Sequence, residues 1–414
     1  MAYQETVTTG YGTQVKQSFK KIATGFTLFL GATAMLWWNE GNSVKTADML
    51  EEAQGVCVGM ENPDKKDVSL EGQLVFGTAM AISIDSLIEK DFGIGVNAIS
   101  IKRNVEYYQW DETRTEETEE RKDGSEKKTI TYDYRKGWSP IPVNSDGFRH
   151  PSGHTNVVLA TFEDDEQWAE HVSFGAYNLN YSMIHSINDY EPFQPALSDD
   201  LLQVLDKGTQ ASYESYYPKK EGLNSNDYNF VHVNDNQLYL GFNPNEPMIG
   251  DVRITFEKVA PAHEATVVAV VYGDTFGPFY AKNGYKLEKL IMGKKDMDQF
   301  FEDEQTNNTF KTWMARILGI MMVIGALKLI FNFVVTLAKI VPFLSTILGW
   351  GVGVICTVLG FVWSLIVIAV AWLFYRPVIG IMLLAVAGLL VWIFALGGKN
   401  KLKDVTLNKE IAEG

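Results

Sequence analysis

The chain is 414 residues long, 46% hydrophobic, with 36 basic against 51 acidic residues, which leaves room for two or three domains. The charge is uneven: residues 40–311 hold 25 Lys/Arg and 47 Asp/Glu, a net of −22, and the two ends carry the other 11 basic and 4 acidic residues. An acidic middle between basic, apolar ends excludes nucleic acid as a partner, and a count of two cysteines excludes a disulfide-stapled secreted domain.

Residues 1–21 are polar and end in Lys16, Lys20 and Lys21, after which residues 22–38 are apolar. A basic start before a short apolar run also fits a signal peptide, but no small-x-small cleavage site follows. The run ends instead in Trp37-Trp38-Asn39-Glu40, and tryptophans favour the headgroup level of a membrane. This predicts a first transmembrane helix at 22–38. Near the other end, Lys339, Pro342 and Arg376-Pro377 divide a long apolar stretch into 313–338, 343–375 and 378–397. Each is long enough for the ~30 Å hydrocarbon core, which takes about 20 helical residues. The lysines before the first helix and Lys399, Lys401 and Lys403 after the last place both termini in the cytosol by the positive-inside rule. Four crossings satisfy that, and residues 398–414 form a cytosolic tail. Arg376 sits in the tight outer turn, against the rule.

Residues 39–312 then form an extracytoplasmic domain. Period-2 alternation predicts strands at 73–76, 98–101, 105–110, 129–134, 237–240, 251–256 and 265–272. The polar run 111–128 contains Asp123-Gly124, a turn dipeptide, and reads as the solvated tip of a long hairpin. The spacing of Trp168, Val172, Ala176, Leu179 and Met183 predicts an amphipathic helix over 163–187. Ser198-Asp-Asp opens a short capped helix.

Catalytic groupings are missing: there is no Gly-x-Ser-x-Gly elbow, no phosphate-binding loop and no His-Glu-x-x-His. His150 and His154 are separated by Pro151 and Gly153, so no helix face presents both to a metal, and an ordinary loop pair is expected. Glu163-Asp164-Asp165-Glu166 lacks the calcium-loop spacing and suits the acidic first turn of a helix. Cys57 and Cys356 cannot pair, since one is in the soluble part and the other mid-membrane. Asn180 and Asn307 match the glycosylation pattern. No enzyme activity, cofactor or metal is expected.

Inside the membrane the polar residues are more informative. Lys328 and Asn332 lie four apart on one face, and a charge there is expected to face the bundle interior or snorkel. Gly349, Gly353 and Thr357, with Gly360 nearby, form a small-residue face of the kind that packs helices. Gly353→Leu is expected to disturb the bundle or an oligomer, and the same change at Val367 to be absorbed.

Several segments resemble one family in order along the chain: Asn39-Glu40-Gly41, Glu106-Tyr-Tyr-Gln-Trp110, Gly250-Asp-Val-Arg-Ile-Thr-Phe256, Lys311-Thr312-Trp313 and Trp372-Leu-Phe-Tyr-Arg-Pro377. Together they are similar to the transmembrane protein 43 (LUMA) family. The resemblance implies one N-terminal helix, a large lumenal domain and three C-terminal helices, the same topology reached above from charge and hydropathy. It also implies a self-associating scaffold, found in animals in the endoplasmic reticulum and inner nuclear membrane with emerin and lamins as partners. The expectation is thus an α+β membrane protein with four transmembrane helices and a large strand-rich extracytoplasmic domain. Its partners would be membrane lipid, further copies of itself and other membrane proteins, with emerin and lamin-like partners only in a eukaryotic host. A bacterial cytoplasmic membrane is the favoured location, the reticulum or inner nuclear membrane the alternative. Lys328, Asn332, Gly349, Gly353 and Arg376 are the candidate packing or partner residues. A transporter or channel component is the alternative function.

Overall fold

The computed structural model describes residues 2–121, 125–217, 228–337, 342–377, 381–382, 385–386, 388–389 and 392. Among these, five helices form: α1 (Tyr11–Val56), α2 (Tyr181–Ile184), α3 (Asp199–Tyr216), α4 (Met297–Leu337) and α5 (Pro342–Tyr375). The chain divides into two compact units. The first comprises Met1–Glu5, Ala53–Glu116 and Ile130–Phe300; the second comprises Thr6–Glu52, Glu117–Thr129 and Phe301–Gly414.

The first unit is built on two sheets. In one, the strands run Ala2–Thr9, Glu126–Ser139, Ser100–Glu120, Val252–Val259, Gln237–Leu240, Val231–Asn234. The expected strands at 98–101 and 105–110 merge in one strand, Ser100–Glu120, with Ala98 and Ile99 in a bend before it. Alternation explains its fit: Ile101, Arg103, Val105 and Tyr107 are buried, and Lys102, Asn104 and Glu106 between them are not. Val105 stands opposite Ile254. This face packs with Phe256, Leu238 and the partly buried Leu201, Leu202 and Leu205 of α3 into one core. The second sheet centres on Leu74–Ser83 paired with Ala262–Tyr272, Thr78 opposite Thr266, their hydroxyls 2.9 Å apart. Val75, Val267, Phe174 and Tyr177 fill its core.

Ser198 caps α3, its side chain accepting from Leu201 N, with Asp199 and Asp200 favourably placed in the first turn. The helix runs on for 18 residues rather than the short piece expected.

The amphipathic helix expected over 163–187 does not form. The stretch gives strands at Asp165–Trp168, Val172–Phe174 and Tyr177–Asn178, and only α2 is helical. Period 2 wins over period 3.6 here. Val172 and Phe174 are both buried, and Gly175, at φ +57°, turns the chain so that Tyr177 pairs with Phe174. The acids of 163–166 are consequently strand-edge acceptors rather than a helix start: Asp164 accepts from Val105 N at 2.7 Å and Glu166 from the Tyr190 hydroxyl.

The hairpin arms, residues 113–119 among them, are exposed; the Asp123-Gly124 turn lies outside the described residues. The expected polar segment 1–21 is structured, Ala2–Thr9 being a strand beside Glu126–Ser139 and the rest opening α1. Tyr3 belongs to the cluster of Ile130, Tyr132 and Tyr134.

In the second unit α1 lies antiparallel to α4: Ser18 meets Thr336 at 3.0 Å, and Gln305 reaches Ala47 O at 3.1 Å. Thr33 accepts from the Trp363 indole at 3.1 Å, and Glu40 meets Trp372, so α5 rises with α1. Ala32, Leu36, Val323, Val367 and Ile368 form the shared core. Two glycines allow the close approach. A Cβ on Gly25 would sit 2.9 Å from Ala326 O, and one on Gly360 would sit 3.1 Å from Ile324 Cα.

Among the described residues, two helices, α4 and the Gly351–Tyr375 part of α5, are long and apolar enough to cross a membrane. The apolar run 22–38 lies inside the 46-residue α1, and the segment expected to form a fourth span, 378–397, falls largely outside the described residues.

Candidate functional site: a polar node joining three helices

Among the described residues, α1, α4 and α5 carry their conspicuous polar and aromatic residues to one level. On α1 this is Asn39-Glu40-Gly41, on α4 Thr312, Trp313 and Arg316, and on α5 Trp372 and Tyr375. Glu40 is fully buried. Arg316 grips it with both ends of the guanidinium fork, Nε to Oε1 at 2.7 Å and Nη2 to Oε2 at 2.6 Å. The Trp372 indole N–H donates to the same Oε2. The guanidinium lies 4.7 Å from the Trp313 ring centroid and 5.7 Å from that of Trp372, which adds a cation–π contribution.

Side-chain amides extend the node along α1. Asn39 donates to Thr312 O at 3.3 Å, and Asn308 donates to Ser43 O at 2.9 Å. The Thr312 hydroxyl lies 2.7 Å from Ser43 Oγ. Tyr375 fills the space beside Gly41, where a Cβ would be 2.7 Å from its hydroxyl. Toward the outer end, Arg376 lies 3.6 Å from Asp48 and 5.9 Å from the Trp372 ring.

A buried carboxylate is tolerable only when paired and hydrogen-bonded, and Glu40 has donors from two helices. Bidentate geometry also fixes orientation. The node therefore sets the register of α1, α4 and α5.

The residues expected to pack or contact partners fall elsewhere. Among the described residues Lys328 is exposed on α4. Asn332 is half-buried and reaches the Thr336 hydroxyl at 3.4 Å, which in turn meets Ser18. The polar contact between α1 and α4 there is thus made by Thr336 with Ser18, and Asn332 bonds within its own helix. A Cβ on Gly353 would meet nothing within 4 Å, so among the described residues this glycine joins no helices; Gly25 and Gly360 do. Gly349 lies in the part of α5 whose side chains are outside the described residues. Val367, taken as an indifferent position, is buried in the bundle core. Arg376 alone borders the node. Sequence reading missed Glu40 and Arg316 as a pair. The available signal was a lone acid just past one apolar run and a lone arginine just inside another.

The first unit holds the other candidates. His154 stacks on Tyr134 at 3.9 Å and lies edge-on to Trp110 at 4.8 Å, while His150 stacks on Tyr3 at 4.3 Å. These are members of an aromatic cluster, and no metal-holding group of three or more ligands occurs among the described residues. Burial pushes the Cys57 thiol up to about 12, which makes it a poor nucleophile. Asp251, from the Gly250–Phe256 segment, is fully buried. It accepts from the Tyr239 hydroxyl and from Met248 N, yet burial still pushes its carboxyl up to about 6.

The family model of transmembrane protein 43 matches residues 107–377, a span that contains Arg316, Trp372 and Arg376. The chain belongs to the transmembrane protein 43 family. It is 28% identical over 363 residues to transmembrane protein 43 of Rattus norvegicus, covering 85% of this chain and 84% of the rat protein. It is 26% identical over 373 residues to the Homo sapiens protein, covering 88% and 86% of the two chains. The transmembrane protein 43 homolog of Drosophila melanogaster is 27% identical over 379 residues, 89% of this chain and 92% of that one. No solved structure matches the chain. In this family member, Glu40 lies ahead of the matched span and Arg316 within it.

Proposed function

We propose that this membrane protein of the transmembrane protein 43 family is a scaffold, which self-associates and organises other membrane proteins through its helix bundle and strand-rich unit. The observation that carries this reading is Lys328, exposed on a helix apolar enough to span a membrane. A lysine facing lipid costs ~2.5–3.5 kcal/mol at mid-span on insertion scales, and a second copy or a partner that covers it removes much of that cost. Gly353, open on α5, offers a second surface for close approach between helices.

In the proposed topology α1, α4 and α5 cross, with the last helix completing four spans and both termini cytosolic. Support comes from packing: Ala32 and Leu36 of α1 share a core with Val323, Val367 and Ile368, so the α1 segment lies at the depth of the other spans. Which membrane follows from the host: the cytoplasmic membrane in a bacterium, with the strand-rich unit periplasmic, or the reticulum and inner nuclear membrane in a eukaryote, the setting for emerin and lamin-like partners.

Native mass spectrometry of the full chain in mild detergent tests the scaffold reading. Oligomers or co-purifying membrane proteins are expected, with Lys328→Met and Gly353→Leu each reducing assembly while leaving insertion intact. A strictly monomeric chain without companions overturns the reading.

A further inference from the structure

A cavity of about 320 Å³ opens beside the node, walled by α1, α4 and the end of α5. Its α1 wall carries Ser43, Ala47 and Glu51, four residues apart and therefore on one face. At 1.5 Å per residue these positions climb ~16 Å outward from Glu40. The apolar part of α1 stops at Trp38, so in the membrane-crossing reading, on which this inference rests, the cavity begins at the headgroup zone. Tryptophans 313 and 372 line its inner end, the side chains that favour that depth.

Its chemistry is that of two opposite charges with neutral acceptors between them. Arg316 is already neutralised by Glu40. Arg376 lines the outer wall, 43% exposed and only loosely held by Asp48. Glu51 is exposed on the facing helix. Gln305 and Asn308 spend their amide N–H groups on Ala47 O and Ser43 O, which leaves their amide oxygens as acceptors. An arginine suits a phosphate, and a carboxylate with amide oxygens suits an ammonium that brings three donors. The volume lies at the lower end of ligand cavities.

We propose that this cavity seats the headgroup of a zwitterionic, primary-amine phospholipid. Arg376 takes the phosphate, and Glu51 with Gln305 and Asn308 takes the ammonium. A quaternary ammonium lacks the N–H donors, and an uncharged glycerol headgroup lacks the cation, so both are weaker occupants.

The test uses the full chain in nanodiscs with phosphatidylethanolamine, phosphatidylcholine or phosphatidylglycerol as guest lipid, and counts retained lipids by native mass spectrometry. Ethanolamine lipid is expected to be retained about tenfold over the other two, and Arg376→Gln and Glu51→Gln each to lower that retention about tenfold, as loss of one charge-assisted hydrogen bond implies. Equal retention of the three lipids, or unchanged retention in both variants, overturns the proposal. Full displacement by soluble phosphoethanolamine also overturns it, by assigning the site to a free metabolite. A chain that enters nanodiscs without headgroup preference leaves the membrane reading standing, whereas one that does not enter removes both.

Discussion

Glu40 and Arg316 show how a few side chains set the arrangement of long helices. Removing one partner leaves the other charge buried and unpaired, which is the costly event for such a pair. Glu40→Gln is expected to destabilise the bundle by ~3 kcal/mol, read as a shift in unfolding by denaturing detergent. Replacing both at once, Glu40→Leu with Arg316→Met, should recover more than half of that loss, because no orphan charge remains. A double variant as unstable as the sum of the singles would show that the node acts by geometry rather than charge. Asp251 makes a different prediction. Its folded carboxyl titrates near 6 against an ordinary 3.8, so the folded state holds the proton more tightly than the unfolded one. Stability from this group is therefore full below about 3.8 and is lost as pH rises to about 6. The difference amounts to ~3 kcal/mol. Asp251→Asn should flatten that slope, measured by thermal unfolding of the full chain between those two pH values.

Among the elements, the helices meet where glycine permits it. A side chain at Gly360 runs into the backbone of Ile324 and one at Gly25 into Ala326 O, and a backbone cannot swing aside. Gly360→Leu should destabilise the bundle by ~2–3 kcal/mol, the scale of overpacking, visible as a lower unfolding midpoint in detergent. Gly353→Leu should leave that midpoint unchanged and act only on assembly. The hairpin tip is the opposite case. Its arms offer little apolar surface to a core, and shortening the loop carries only a small entropic term. Deleting residues 117–129 and closing the arms with Asn-Gly should change stability by about 1 kcal/mol or less. Loss of the near-ultraviolet dichroism of the Tyr3, Tyr132, Tyr134 cluster would show that the tip is needed to dock the first strand.

For the whole molecule, topology is the decisive variable, and the first residues report it. A cysteine at Ala2 should resist an impermeant thiol reagent applied from the side of the strand-rich unit if α1 crosses. It should react from that side if α1 does not cross. A cysteine at Ser152 supplies the positive control, since Pro151–Gly153 is exposed. Labelling of both cysteines from one side overturns the four-crossing topology.

What the sequence determined by itself was whatever depends on local pattern. Apolar length marked α4 and α5, alternation marked Leu74–Ser83 and Val252–Val259, and Ser198-Asp-Asp marked the start of α3. Five short segments in order marked the family. Where two periods competed, as over residues 163–187, local pattern misled, because Gly175 and the pairing of Phe174 with Tyr177 act through space. The node was likewise hidden: Glu40 and Arg316 lie 276 residues apart, and only packing of α1 against α4 makes them one group. The same packing left Gly353 open among the described residues and made Gly360 the contact, since which face of an all-apolar helix is buried is decided by its neighbours.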